Sequence, residues 1–165
     1  MIIKYFYEDI TTPIGNIFIL ENKYGICCVS MSRDKRIVKI KNEFNPKVGL
    51  KFYKTIKKNL IRYLNGKERL KPPPVLFLSG TNFQKKVWKQ LLRIKHGTTS
   101  NYSMIANNIK LPNAQRAVGT AIAKNPILFY LPCHRVVKKN GNIGKYIWGM
   151  SIKKKLLNME MADPI

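Results

Sequence analysis

The sequence predicts an α+β protein built in two parts, and three observations carry that prediction. Residues 2–31 have the alternating apolar pattern of β-strands broken by turn residues. Further along, apolar side chains recur at helical spacing in several separate segments. Between the two patterns stands Lys71-Pro72-Pro73-Pro74, which can continue neither a helix nor a central strand. The expected division is a small N-terminal mixed α/β subdomain, residues 1–77, with a three-stranded antiparallel sheet, and a mainly helical C-terminal subdomain, residues 78–165. The Pro-rich linker covers about residues 71–80. A chain of 165 residues is long enough to bury a core in this arrangement.

In the first part, Ile2–Tyr7, Ile17–Leu20 and Gly25–Val29 read as a meander with a turn at Thr12-Pro13-Ile14-Gly15. Phe52, Ile56, Leu60, Ile61 and Leu64 then form an apolar stripe, with Lys54, Lys57, Lys58 and Arg62 on the other side and Asn65-Gly66 as the stop. In the second part, Thr81-Asn82-Phe83-Gln84 has the form of a capping box ahead of the stripe Phe83, Val87, Trp88, Leu91 and Leu92, and Gly97 ends that helix. A short helix is expected over Asn101–Ile109, and Leu111-Pro112-Asn113 breaks the chain before a third helix running to about Lys124. The apolar positions of that third helix, Ala114, Ala117, Val118, Ala121 and Ile122, are mostly small, so another surface can approach it closely. Two short helices around a tight turn suggest a helix-turn-helix, although many such hairpins bind nothing. Asn125-Pro126 ends the third helix, Ile127–Leu131 reads as a short buried or extended run, and Ser151–Met159 as a last helix capped by Ser151, with Ile152, Leu156 and Leu157 buried.

Composition narrows the function. Thirty-one basic residues against 8 acidic ones give a net charge of +23. Such an excess repels itself unless an anionic partner offsets it, which points to nucleic acid or an anionic membrane surface. A biased genome or a hot habitat is a competing source of Lys, but ion-pair networks of hot-adapted proteins need Glu as well, and Glu is rare here. The charge is spread over both parts: 16 basic and 6 acidic residues up to Phe77, a net +10, and 15 basic and 2 acidic beyond it, a net +13. No apolar run reaches the roughly 18 residues of a membrane span, and no secretory leader is read at the start, so a soluble, cytoplasmic protein without membrane contact is expected. Three cysteines and two histidines fit neither a disulfide framework nor a zinc site, so no metal is expected. Gly141-x-x-Gly144 lacks the strand-to-helix context of a phosphate loop and serves turns.

The candidate chemistry is at Cys133. A cysteine reacts as the thiolate and needs a base or a cation nearby. His134 and Arg135 follow it directly, but neighbouring side chains of an extended segment diverge, so His134 is expected to reach Cys133 through a turn or a water. Glu160 is a candidate to orient the imidazole, although a negative charge near a helix C-terminus is mildly unfavourable. An isolated Cys-His pair is more often an inert buried thiol, and an isolated Glu at a helix end more often a surface group.

The joint pattern is more specific. Pro132-Cys133-His134-Arg135-Val136-Val137, followed by Gly141, Gly144, Tyr146, Gly149, Lys153, Leu156-Leu157 and Glu160, strongly resembles the O6-methylguanine-DNA methyltransferase family. Phe83, Val87-Trp88, Tyr102, Arg116-Ala117-Val118-Gly119 and Asn125-Pro126 extend the likeness upstream, so it covers about Thr81 to Glu160. In the first part only Thr12-Pro13-Ile14-Gly15 is loosely similar. The resemblance implies a winged-helix-like C-terminal subdomain with an active-site cysteine loop, and a DNA repair protein that moves an alkyl group from O6 of guanine in duplex DNA onto its own cysteine. By that likeness Cys133 is the acceptor, His134 the base acting through water, Glu160 the group that orients His134, and Asn125 the tie that positions Cys133. Tyr102 is the proton donor to the base.

Because the alkyl group lies inside a duplex, the nucleotide must leave the stack before a thiol can reach it. The resemblance gives this task to a minor-groove helix-turn-helix in which Arg116 replaces the extruded base, Ala114, Ala117 and Gly119 form the small face, and Arg135 belongs to the DNA-contacting loop. Val136, Tyr146, Ile147 and Trp148 form the substrate pocket, with backbone groups of Cys133, Val136 and Ile147 against the guanine edge. Ile147-Trp148 departs from the small residues that relatives often carry there, so Trp148 narrows the pocket or stacks on a ligand. The transfer leaves a thioether and is irreversible, so each molecule acts once, as a monomer and without a cofactor; whether O4-methylthymine is also accepted is left open. The alternatives are a non-catalytic alkylated-DNA-binding protein, whose class lacks the cysteine, a helix-turn-helix regulator, and a cysteine hydrolase using Cys133 and His134.

Overall fold

The structure is a computed structural model that describes residues 2–161. The chain divides into two compact units, Met1–Leu78 with Pro126–Tyr130, and Ser79–Asn125 with Leu131–Ile165. The fold is α+β, as the sequence predicts.

In the first unit, β1 (Phe6–Thr12), β2 (Gly15–Asn22) and β3 (Gly25–Met31) form an antiparallel meander, followed by α1 (Arg36–Phe44), β4 (Lys47–Val48) and α2 (Thr55–Leu64). The turn at Thr12–Gly15 closes on the pair Thr12 and Gly15, which fixes the register of Ile10 opposite Ile17. The sheet has four strands rather than the three expected: β4 adds in parallel to β1, in the order β3-β2-β1-β4. The first strand is also displaced along the chain, from the expected Ile2–Tyr7 to Phe6–Thr12, and Ile2 is exposed. Phe18, Leu20, Cys27, Cys28 and Ile37 pack as one core cluster. Glu21 is fully buried there and accepts the backbone N–H groups of Lys51, Phe52 and Tyr53, which anchors the loop leading into α2. Ile56, Leu60, Tyr63 and Leu64 make the buried face of α2, whereas Phe52 precedes the helix and is exposed. Residues Pro126–Tyr130, expected in the second part, belong to this unit: the Val29 N–H donates to the Pro126 carbonyl and the Leu128 N–H to the Val29 carbonyl.

The second unit contains α3 (Asn82–Leu91), β5 (Ser100–Asn101), α4 (Tyr102–Asn108), α5 (Gln115–Ala123), a 3-10 turn at Cys133–Arg135, β6 (Val136–Val137) and α6 (Met150–Met161). Thr81 and Gln84 form a reciprocal capping box on α3, and Asn101 caps α4 by accepting from the Met104 N–H. Val87, Trp88 and Leu91 are buried, and the Trp88 indole donates to the Ala121 carbonyl at 2.9 Å, pinning α3 to α5. β5 and β6 pair in parallel, which holds the segment after the 3-10 turn beside the start of α4. Among the described residues no helix is long and apolar enough to cross a membrane, and no group of three or more His, Cys, Asp or Glu could hold a metal ion.

Candidate active site

Cys133 opens the 3-10 turn rather than lying in an extended run, with its N–H donating to the Leu131 carbonyl at 2.7 Å. A cavity of about 890 Å³ in the second unit is lined by Cys133 together with Tyr102 of α4, Arg116, Gly119 and Ile122 of α5, and Tyr146. Ile147 lines it as well. Of the residues expected in the pocket or at the DNA, Val136, Trp148, Ala114, Ala117 and Arg135 do not line it. Val136 is buried, Ala117 is exposed on α5 outside the lining, and Arg116, also exposed, lines the cavity. At Gly119 a methyl group would sit 3.6 Å from the Tyr102 ring, so the absence of a side chain leaves that ring open to the cavity.

Asn125 sits just beyond the end of α5, and its side-chain amide donates to the Leu131 carbonyl at 2.7 Å and to Cys133 Sγ at 3.1 Å. The same side chain thus fixes the loop backbone and the sulfur. Tyr146 Oη lies 4.0 Å from Sγ. Burial pushes the Cys133 thiol above its ordinary pKa, and Asn125, Tyr146 and the Lys153 ammonium offset only part of that. Tyr102 is also held protonated, by burial first and by Cys133 second.

Behind the turn is a charged cluster. His134, fully buried, has Nε2 2.9 Å from Glu160 Oε1. Burial lowers the His134 pKa, and the Glu160 carboxylate pulls it part of the way back. Arg135 does not project toward a nucleic-acid surface as expected: it is 7% exposed and grips Glu160 with Nε at 2.8 Å and a terminal nitrogen at 2.9 Å. Its other nitrogen donates to the Ile94 carbonyl at 2.6 Å. The reason is the 3-10 turn, which sends consecutive side chains around an axis instead of to alternate faces. Glu160 is buried in the last turn of α6, and the Arg135 guanidinium supplies the countercharge that offsets its unfavourable place at a helix C-terminus.

Two residues were given no role from sequence. His96 reaches the same carboxylate, with Nδ1 3.8 Å from Glu160 Oε1. Lys153 is 1% exposed, donates to the Val136 carbonyl at 2.6 Å, and burial pulls its pKa down to about 8. A signal for Lys153 existed: Lys153, Leu156, Leu157 and Glu160 follow i, i+3, i+4, i+7, so a lysine and a glutamate occupy the buried stripe of α6. Ser151 is inside α6 rather than capping it, and Ile152 is only half-buried.

Comparison with known proteins agrees with this arrangement. The family described as 6-O-methylguanine DNA methyltransferase, DNA binding domain, matches residues 82–162. The methylated-DNA–protein-cysteine methyltransferase of Methanosarcina barkeri is 37% identical over 158 residues, 94% of this chain and 96% of that protein. Its counterpart in Methanosarcina mazei is 38% identical over 156 residues, again 94% of this chain and 96% of that protein. The crystal structure of Mycobacterium tuberculosis O6-methylguanine methyltransferase superposes with a TM-score of 0.83 at 28% identity, covering 99% of this chain and 96% of that one. A structure of the Mycobacterium tuberculosis protein in complex with DNA gives a TM-score of 0.84 at 30% identity, covering 96% of this chain and 94% of that one. Identity at this level along nearly the whole length of both chains, with the cysteine loop and the two helices in place, means that the chain belongs to the methylated-DNA–protein-cysteine methyltransferase family.

Proposed function

We propose that this protein repairs duplex DNA by moving the methyl group of O6-methylguanine onto its own Cys133, once per molecule. The observation that carries the reading is the placement of Cys133 Sγ in a cavity that also holds Tyr102 and Arg116, with Asn125 bonded to the sulfur. Family membership supports the chemistry, and a relative's structure in complex with DNA supports the partner.

The reaction divides among the chain's residues as follows. Arg116 and the small residues Ala114, Ala117 and Gly119 of the α4–α5 hairpin take the minor groove, and Arg116 enters the stack as the damaged base swings into the cavity. The Cys133 proton passes to His134, and the sulfur attacks the methyl carbon. The S–C bond forms as the C–O6 bond breaks, and the electron pair goes to the guanine, which takes a proton from the Tyr102 hydroxyl. Glu160 stabilises the imidazolium and Asn125 holds the sulfur in place. Tyr146 and Ile147 wall the cavity, and the half-buried Trp148 stands outside its lining, which favours acceptance of methyl without restricting it. The product thioether has no easy leaving group, so the protein is consumed as a monomer without regeneration.

Intact-mass measurement after exposure to duplex DNA containing O6-methylguanine tests this. One added methyl group per molecule, located on Cys133 and lost in Cys133→Ala, is the expected result. An unchanged mass with intact lesion DNA would refute it.

A further inference from the structure

The cations of the second unit leave the charge of the first unexplained. Residues 51–71 hold eight Lys and Arg against a single acid, Glu68, and all eight are exposed. On α2 the buried side is Ile56, Leu60, Tyr63 and Leu64, which leaves Lys54, Lys58 and Arg62 at successive i, i+4 positions on the opposite side, with Lys57 alongside. Like charges at this spacing are mutually destabilising on a helix, and α2 carries no acidic residue to separate them. Lys57 pairs with Glu8 and Arg62 with Glu68, but Lys54 and Lys58 stand in no ion pair among the described residues.

The geometry organises these charges into one surface. A groove of about 750 Å³ is lined by Lys58, Arg62 and Lys71 together with Tyr53, Asn59 and the wall Pro72–Pro74. A smaller depression beside it is lined by Lys54, Lys57, Lys58 and Arg62, so Lys58 and Arg62 border both. Asn59 fixes the far edge: its amide donates to Glu68 at 2.6 Å, and its carbonyl accepts the Lys71 N–H at 3.1 Å. Lys71 is therefore held against α2 before any ligand arrives, and the prolines stiffen the chain that follows it.

We propose that this face of the first unit is a second DNA-binding surface, one that holds the phosphate backbone of duplex DNA without reading its sequence. None of its residues belongs to α4, α5 or the Cys133 cavity. From Lys54 to Arg62 the helix rises about 12 Å. One DNA strand presents a phosphate about every 3.4 Å of axis, so the row of cations faces a run of about three phosphates. A lipid surface fits less well, because a helix lying on a membrane inserts its apolar side, and that side of α2 is buried in the unit. Single strands are bound by successive aromatic platforms, and this groove offers Tyr53 alone.

The test uses the full-length protein and an undamaged duplex, so its outcome is separate from whether Cys133 accepts an alkyl group. Binding is followed by fluorescence anisotropy from 50 to about 300 mM KCl for the wild type, for Lys54→Gln/Lys58→Gln/Lys71→Gln, and for a control set, Lys35→Gln/Lys39→Gln/Lys47→Gln. Removing three phosphate contacts lowers the slope of log K against log salt by about 2 to 3. The control set is expected to change it by less than 1, and Lys58→Gln alone by about 1. The single-turnover rate at saturating O6-methylguanine duplex stays at the wild-type value in the first set, and thermal melts show every set folded, the first no less stable than the wild type because like charges on α2 are relieved. Equal slopes for the two triple sets, or an unchanged slope in the first, would overturn the proposal. So would loss of binding to vesicles containing an anionic phospholipid with duplex binding intact, which would assign the face to a lipid surface.

Discussion

Replacing Glu160 by Gln separates what the buried carboxylate does for stability from what it does for transfer. The amide keeps the size of the side chain but removes the negative charge that touches both His134 and Arg135. Arg135, 7% exposed, is then left as a buried cation facing a neutral group. Breaking a buried pair from one side costs about 3–5 kcal/mol. The transfer step suffers separately. When His134 takes the Cys133 proton, an imidazolium forms 2.9 Å from Glu160 Oε1 with the Arg135 guanidinium on the same carboxylate. At an effective dielectric constant near 20, a unit charge about 4 Å away is worth about 4 kcal/mol. Only part of that charge exists in the transition state, so a loss of about 2–4 kcal/mol is expected, a rate lower by about 30- to 10³-fold.

The two effects are told apart by a double variant. Glu160→Gln with Arg135→Met removes the stranded cation as well, and an uncharged replacement of a buried pair is often neutral or better for stability. Urea denaturation should therefore show much of the lost stability restored, while single-turnover transfer from labelled duplex stays slow. The pH profile adds a third readout: Glu160 raises the His134 pKa, so its removal moves the acid limb of the rate to lower pH. If transfer recovers together with stability in the double variant and the acid limb does not move, Glu160 serves the fold alone and the reasoning fails.

Four further outcomes are expected. Asn125→Ala removes one of the two donors to the buried Leu131 carbonyl, which keeps the Cys133 N–H, and frees Sγ, costing about 0.5–1.5 kcal/mol by urea denaturation and slowing transfer by more than its loss of stability explains; wild-type kinetics would contradict the positioning role. Gly119→Ala gains helix propensity and meets only an ordinary 3.6 Å contact with Tyr102, so the thermal midpoint rises in line with about 0.5–1 kcal/mol while binding to duplex weakens; a lower midpoint would show that the contact is not tolerated. For Arg116→Ala, fluorescence of a flipped-base analogue in the duplex should fall, and an unchanged signal would count against entry of Arg116 into the stack. The wild-type transfer rate should hold as pH falls through 6.5 and drop only lower, because burial depresses the His134 pKa; the neutral imidazole's contribution to stability is likewise intact above 6.5 and lost as pH falls through the folded value. An acid limb centred at or above 6.5 would refute that.

What could be read in advance was whatever short-range chemistry determines. The Thr81–Gln84 capping box is satisfied within four residues, and α3 begins where its side chains say. Features settled by distant partners were missed. β4 is two residues long and exists through its pairing with β1. α1 escaped because of its apolar residues only Ile37 is buried, and Val38 is exposed. Ile127–Leu131 is apolar in any reading, but which unit takes it depends on the Val29 backbone. At the site, the residue types were legible and their directions were not. Arg135 reads as a basic residue in a DNA-facing loop until the 3-10 turn shows it turned inward onto Glu160. His96 reaches that carboxylate from 64 positions away, a distance no local pattern spans.

Burial alone does not make a cysteine inert or reactive, and this chain contains both outcomes. Cys27 and Cys28 lie in β3 with burial pushing their thiols up to about 12, and the Glu21 and Asp34 carboxylates near them add to the rise. Cys133 is just as enclosed and its pKa is raised for the same reason. The difference is that the same burial pushes His134 toward its neutral form, so thiol and imidazole are both uncharged at rest. Ionising either one alone inside the unit is expensive, whereas the proposed passage of the proton from thiol to imidazole creates two opposite charges together, the imidazolium against a carboxylate already fixed by Arg135. A thiol kept in this state is weakly nucleophilic until the proton moves. For a protein that can react only once, that is protection against reaction with the wrong electrophile.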